Sequence, residues 1–118
     1  MFSVPAAFAK DYSFSWTTNS GDIEGYKLYY KKGGVAATPF NGKDAWEGPS
    51  PIDIGNYTTF TINGLEDNTT YHFALTAYNG NEESDFTDVI TVFPSKYDNR
   101  LQTVLMISNL LLLNSDSP

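Results

Sequence analysis

Apolar and polar side chains alternate with period two through the middle of the chain, in short runs closed by turn-forming residues. Tyr12, Phe14 and Trp16 fall on one side of the first run, and Ser13, Ser15 and Thr17 on the other. A loop, Thr18 to Asp22, separates it from a second run in which Tyr26, Leu28 and Tyr30 alternate with Lys27, Tyr29 and Lys31, ending at Gly33-Gly34. Residues 35–50 lack periodicity and carry Pro39, Gly42, Gly48 and Pro49, the composition of an inserted loop. A short strand is expected around Ile52–Ile54, then Phe60 and Ile62 between Thr59 and Thr61, then a turn at Asn63-Gly64. Tyr71, Phe73, Leu75 and Ala77 alternate with His72, Ala74, Thr76 and Tyr78. After a loop at 79–83, Ile90 and Val92 point inward on a last strand that Pro94 ends. No helical periodicity precedes residue 97, so the pattern predicts an all-β sandwich or barrel.

The core of such a fold is expected to centre on Trp16, Tyr26, Leu28, Phe60, Ile62, Leu65, Tyr71, Phe73, Leu75, Ile90 and Val92. At 118 residues the chain fits one domain, and 8 Phe, 8 Tyr and 2 Trp give it enough apolar bulk to fill one. Seven basic residues against 14 acidic leave a net charge of −7, which repels phosphate backbones and makes nucleic acid and anionic membranes poor partners. With no cysteine there is no disulfide framework, thiol chemistry or cysteine-bound metal, and a single His72 rules out a multi-histidine metal site.

Both ends carry features of their own. Residues 1–9 end in Ala7-Phe8-Ala9, small residues spaced as at the end of a secretory signal peptide, without its charged start or full apolar stretch. A signal-peptide remnant and a loose first strand are equally open readings of this segment. At the other end a linker, Ser95 to Arg100, leads into a run from Leu101 to Leu113 with nine large apolar residues among its 13. Its ten residues from Val104 to Leu113 fall short of the roughly 20 needed to span a membrane as a helix.

Leu65-Glu66-Asp67-Asn68-Thr69-Thr70-Tyr71 resembles the signature between the fifth and sixth strands of the fibronectin type III family, with Leu65, Thr69 and Tyr71 at its spacing and Asp67 where the family often has proline. Trp16 resembles the family's core tryptophan. Gly25-Tyr26-Lys27-Leu28-Tyr29-Tyr30 resembles its third-strand pattern, and Ala77-Tyr78-Asn79 through Glu83-Ser84 the end of its sixth strand and the loop beyond. The likeness covers about residues 11–94 and is nearest the bacterial extracellular versions. It implies an immunoglobulin-like (fibronectin type III) sandwich of about seven antiparallel strands in two sheets over residues 10–94, followed by a linker and tail over 95–118. Tyr71 would be the tyrosine corner, its hydroxyl bonded to backbone upstream. The stretch 35–50 is longer than the family's usual connection.

The resemblance also implies a secreted or cell-surface module that acts as a spacer or in adhesion or protein binding, with no catalytic residues, metal or cofactor of its own. The residues agree. Glu82, Glu83, Asp85 and Asp88 gather in a predicted exposed loop with no nucleophile beside a base, and neither they nor Asn19, Asp22 and Glu24 match a known calcium loop. Two sites follow as expectations. Tyr29 and Tyr78 should point outward on neighbouring strands near His72, itself expected on the surface, and Trp46 stands in the insertion with no evident core to fill. Exposed aromatic faces stack on sugar rings, so Trp46, Tyr29, Tyr78 and His72 form a candidate polysaccharide site; the alternative makes Tyr29 and Tyr78 a cross-strand pair and folds Trp46 over the sheet edge. The apolar tail, with Leu101, Val104, Leu105, Ile107, Leu110 and Leu112, must bury somewhere: first on its own sandwich, second on another molecule by strand addition. The leading expectation is therefore a structural or interaction module, self-associating through that tail, and the alternative a carbohydrate-binding module.

Overall fold

The computed structural model describes residues 9–17, 22–94 and 103–107. Eight strands follow one another: β1 (Ala9–Trp16), β2 (Gly25–Lys32), β3 (Ile52–Gly55), β4 (Thr59–Glu66), β5 (Tyr71–Asn79), β6 (Glu82–Glu83), β7 (Ile90–Val92) and β8 (Thr103–Ile107). No helix occurs among the described residues. One sheet has the order β4-β1-β8; the other runs β3-β2-β5, with β6 and β7 both pairing β5. All pairs are antiparallel except β1 with β8.

The sheets pack through the residues that the alternation turns to one side. Phe14 of β1 meets Phe73 of β5 edge-on with ring centroids 4.8 Å apart, and Trp16 meets Tyr26 of β2 at 5.3 Å. Such edge-to-face pairs set the positive rim of one ring against the negative face of the other. Leu28, Ile62, Leu65, Tyr71 and Leu75 are fully buried among them, while Phe60, Ile90 and Val92 are partly buried at the margin.

Asn63-Gly64 is a bulge and not a turn. The ladder passes from Tyr12–Ile62 to Lys10–Leu65, so Asn63 and Gly64 together face the single residue Asp11. Gly64 takes φ +82°, a conformation that glycine adopts without strain, and its N–H donates to Asp11 Oδ1 at 3.3 Å. The extra residue shifts the pleat by one, so that Ile62 and Leu65, three apart, both reach the core.

β5 is buried on both faces from Tyr71 to Ala77, although its sequence alternates as if one face were wet. Its outward side chains are covered by Gly34, Glu83, Thr91 and the 84–89 segment, together with the insertion. The insertion forms no strand or helix but is bonded to the sandwich through two buried tyrosines. Tyr30 Oη donates to Gly48 O at 2.8 Å and accepts the Ala45 N–H at 3.0 Å. Its backbone carbonyl accepts the Gly42 N–H at 2.8 Å, and its own N–H donates to Ser50 Oγ at 3.0 Å. Tyr71 Oη accepts the Glu66 N–H at 2.9 Å, closing the tyrosine corner, and donates to Asp44 Oδ2 at 3.1 Å. Lys32 then bridges Asp44 and Glu66 at 3.4 and 3.1 Å on the surface above.

Removing these groups has expected costs. Trp16→Ala empties the largest side chain from the core and should destabilise the fold by about 3–5 kcal/mol. Tyr71→Phe keeps the ring but strands the Glu66 N–H and leaves Asp44 with Lys32 as its partner, and should cost about 1–3 kcal/mol. Urea unfolding should show both as lower midpoints at an unchanged slope.

The buried phenols also set an alkaline limit. Burial holds the hydroxyls of Tyr12, Tyr30 and Tyr71 above their ordinary pKa of 10.0; for Tyr71 the Asp44 charge adds to this, and the Glu66 N–H opposes it. Above that pH the unfolded chain loses phenol protons that the folded chain keeps. This part of the stability is therefore complete below about pH 10 and is lost as the pH rises through the folded values. Urea midpoints should stay level from neutral pH to about 9 and fall above about 10, less steeply in Tyr71→Phe.

Candidate functional site

The outward face of β2 and β5 carries four cross-strand pairs in order: Gly25 with Tyr78, Lys27 with Thr76, Tyr29 with Ala74, and Lys31 with His72. Tyr29 and Tyr78 are thus four residues apart along the strands, about 13 Å at the usual rise, and are not a cross-strand pair. Each has its own partners. The Tyr78 ring lies across Gly25, where a Cβ would collide with it, and its hydroxyl donates to Asp53 Oδ1 at 2.8 Å. Lys27 Nζ sits 5.3 Å from that ring's centre and 3.8 Å from Glu83. The bond to Asp53 holds the Tyr78 hydroxyl above its ordinary pKa.

Tyr29 packs edge-on against Phe86 and Phe40, at 4.8 and 6.3 Å between ring centres, and those two meet each other at 5.2 Å. Its hydroxyl donates to Glu83 Oε2, which also accepts Thr76 Oγ1 at 2.7 Å. Burial first, and the Glu83 carboxylate second, push the Tyr29 phenol up to about 12. This triad of rings is a small second core beneath the insertion and the 84–89 segment, so Tyr29 offers little free face for a ligand.

His72 points outward but is only 5% exposed, not at the surface as expected from the alternation. The backbone after β2 folds over it. Its Nε2 lies 3.1 Å from Gly34 O, and its Nδ1 lies 2.8 Å from Thr91 Oγ1. A carbonyl only accepts, so Nε2 donates to Gly34 O, and Nδ1 is left to the Thr91 hydroxyl, which can donate or accept. Both ring nitrogens are engaged. Lys31 beside it is also buried, with Nζ on Ala37 O at 2.9 Å.

Trp46 stands elsewhere, beside β4 of the other sheet. Its backbone N–H donates to Asn63 O at 2.8 Å, and its indole covers Gly64 at the bulge. It remains 75% exposed. The structure therefore does not bring Trp46, Tyr29, Tyr78 and His72 into one patch: two of the four are sealed or engaged on the outer face, Tyr78 is half-buried there, and Trp46 is alone on its own side. No sequence signal placed Trp46, because its position is set by hydrogen bonds to Asp44, Ala45 and Gly48 on either side of it.

The edge of β1 away from β4 is the other candidate. β8 occupies it in parallel, Tyr12 opposite Thr103 through Trp16 opposite Ile107. Val104, Leu105 and Ile107 lie in this strand. Leu101, Leu110, Leu112 and the segment 1–8 lie outside the described residues.

Asn19 lies outside the described residues, and the acidic groups that are described do not converge. Glu24 Oε1 accepts the Gly80 N–H at 2.9 Å, the Asp22 carbonyl accepts Asn79 Nδ2, and Glu83 is taken up by Tyr29 and Thr76. Among the described residues no group of three or more His, Cys, Asp or Glu side chains is placed to hold a metal, and no helix is long and apolar enough to cross a membrane.

Comparison with known proteins bears on the same fold. A Kelch domain-containing protein of Saccharolobus solfataricus is 38% identical over 55 residues, which is 47% of this chain and 8% of that protein. The chain thus spans a small part of that relative's length. No solved structure matches. The fibronectin type III domain matches residues 5–93, in agreement with the two packed sheets and with the Tyr71 hydroxyl bonded back to Glu66. The chain belongs to the fibronectin type III family.

Proposed function

We propose that this chain is a non-catalytic module of the cell exterior that binds protein, and that it associates with copies of itself by adding a strand at the β1 edge. The observation that carries this reading is the pairing of β8 with that edge. Strand addition rests on backbone hydrogen bonds, which are indifferent to whether the strand belongs to the same molecule or another. Without β8, β1 would present an open row of N–H and C=O groups on an aromatic-rich strand, a ready site for another chain. β8 pairs with β1 alone, so its exchange leaves every other strand pair in place. The apolar residues Val104, Leu105, Met106 and Ile107 give such a strand a reason to be covered. The balance of 7 basic and 14 acidic residues keeps nucleic acid an unfavoured partner.

Solution mass decides it. The full chain should exceed a monomer's mass as its concentration rises, and a chain ending at Ser95 should not. A synthetic peptide of residues 101–113 should bind the shortened chain, and should restore its structure if shortening unfolds it. Two stable monomers and no binding of the peptide would contradict the reading.

A further inference from the structure

Trp46 is exposed and yet held from several directions. Its 75% exposure is not that of a loose side chain. One end of the indole, at Cδ1, Nε1 and Cγ, rests on Gly64, close enough that a Cβ at that position would collide with the ring. Only glycine permits this approach, and only at the bulge, where φ is +82°. The Trp46 backbone is tied to Asn63 O, and the next residue, Glu47, clamps the same asparagine: its Oε1 accepts the Asn63 N–H at 2.9 Å and its Oε2 accepts Asn63 Nδ2. On the other side, Ala45 and Asp44 are fixed to the hydroxyls of Tyr30 and Tyr71. The ring is thus a flat apolar plate, backed by protein and open to water, with its orientation set before any ligand arrives.

Such pre-ordering matters because a ligand that stacks on the plate loses little to the freezing of the side chain. The surroundings restrict the ligand. Glu47 and Asp11, on either side of the bulge, are carboxylates, which oppose an anionic ligand, as does the net charge of −7. Both Glu47 oxygens already accept amide protons, and so does Asp11 Oδ1, which fixes these carboxylates in place without neutralising their charge. Each oxygen retains a second lone pair that a neutral hydroxyl can use. A plate that wants an apolar face, resting on a bulge whose Asn63 and Gly64 amides hold two carboxylates, suits a pyranose ring: C–H groups on one face and hydroxyls around its edge.

From this we infer that Trp46, with Glu47, Asn63 and Asp11 around the β4 bulge, is a stacking site for a hexose or pentose unit of a neutral polysaccharide. The site is separate from the β1 edge and from the outer-face tyrosines, and it does not depend on self-association. With one stacking residue, its affinity for a single sugar is low, and a polymer with many equivalent units compensates through repeated presentation.

The test is affinity electrophoresis of the full chain in native gels cast with four soluble neutral polymers: a mixed-linkage β-glucan, a xylan, a galactomannan and a starch. At least one should retard the wild type. Trp46→Ala should weaken that retardation about tenfold or more, and Trp46→Phe should fall between. Trp46→Ala removes an exposed ring, and an unchanged circular dichroism spectrum would show that the fold is kept. Should the variant lose its fold, tryptophan emission of the wild type provides the second measurement: Trp16 is buried, so quenching by the active polymer reports Trp46. Failure of all four polymers to retard the wild type more than Trp46→Ala would overturn the inference. So would binding of poly-arginine through Trp46 without binding of any neutral polymer, which would make the site one for a cationic chain.

Discussion

Two tyrosine hydroxyls buried beneath the surface decide how the rest of this sandwich is finished. Tyr30 and Tyr71 put their rings wholly inside the core, where an unpartnered hydroxyl would cost free energy comparable to a lost hydrogen bond. Neither hydroxyl finds its full set of partners within the two sheets. Both reach into the insertion, Tyr30 to Ala45 and Gly48, and Tyr71 to Asp44 as well as to Glu66. A stretch without regular structure is thereby fixed at three points within five residues. The usual relation between loop and scaffold is reversed here: the core requires the loop.

The anchored insertion divides the surface. It folds Phe40 against Tyr29 and Phe86 on the outer side of β2 and β5, and the turn after β2 closes over His72. A face that would ordinarily be wet becomes a second, smaller core, and the groups on it are consumed by one another. The same anchoring sets Trp46 over the bulge on the opposite side, where nothing consumes it. On the edge of β1 away from β4, the tail strand closes the ladder. The two partner surfaces proposed above, the β1 edge on exchange of β8 and the Trp46 plate, are both products of backbone geometry more than of surface charge.

The strands were legible because one buried face per strand writes a period-two pattern, and the Leu65–Tyr71 signature was legible because its spacing carries a specific hydrogen bond. The Asn63-Gly64 pair was misleading because the same two residues serve a hairpin turn and a bulge. The spacing of Ile62 and Leu65 distinguishes them, since two inward residues three apart demand an extra residue in the pleat. His72 and Tyr29 were legible as outward but not as covered, because the cover comes from a segment with no periodicity. A tyrosine, not a phenylalanine, at Tyr30 was the available signal: a buried phenol asks for a partner, and Ala45 with Gly48 could supply backbone groups. The sequence carried no comparable mark of where Trp46 would rest, because that depends on Gly64 in a strand remote along the chain.

Amide hydrogen exchange on Tyr30→Phe, read residue by residue against the wild type, tests this account most directly. The ring and its packing are kept, and only the hydroxyl that holds Ala45 and Gly48 is removed. The account predicts that the amides of Ala45, Trp46 and Gly48 lose protection while those of β2 and β5 stay protected, and that Trp46 emission shifts because the plate is no longer fixed. Unchanged protection at 45–48 would contradict it, for the insertion would then be held by something other than the buried hydroxyl, and the placement of Trp46 would need another cause.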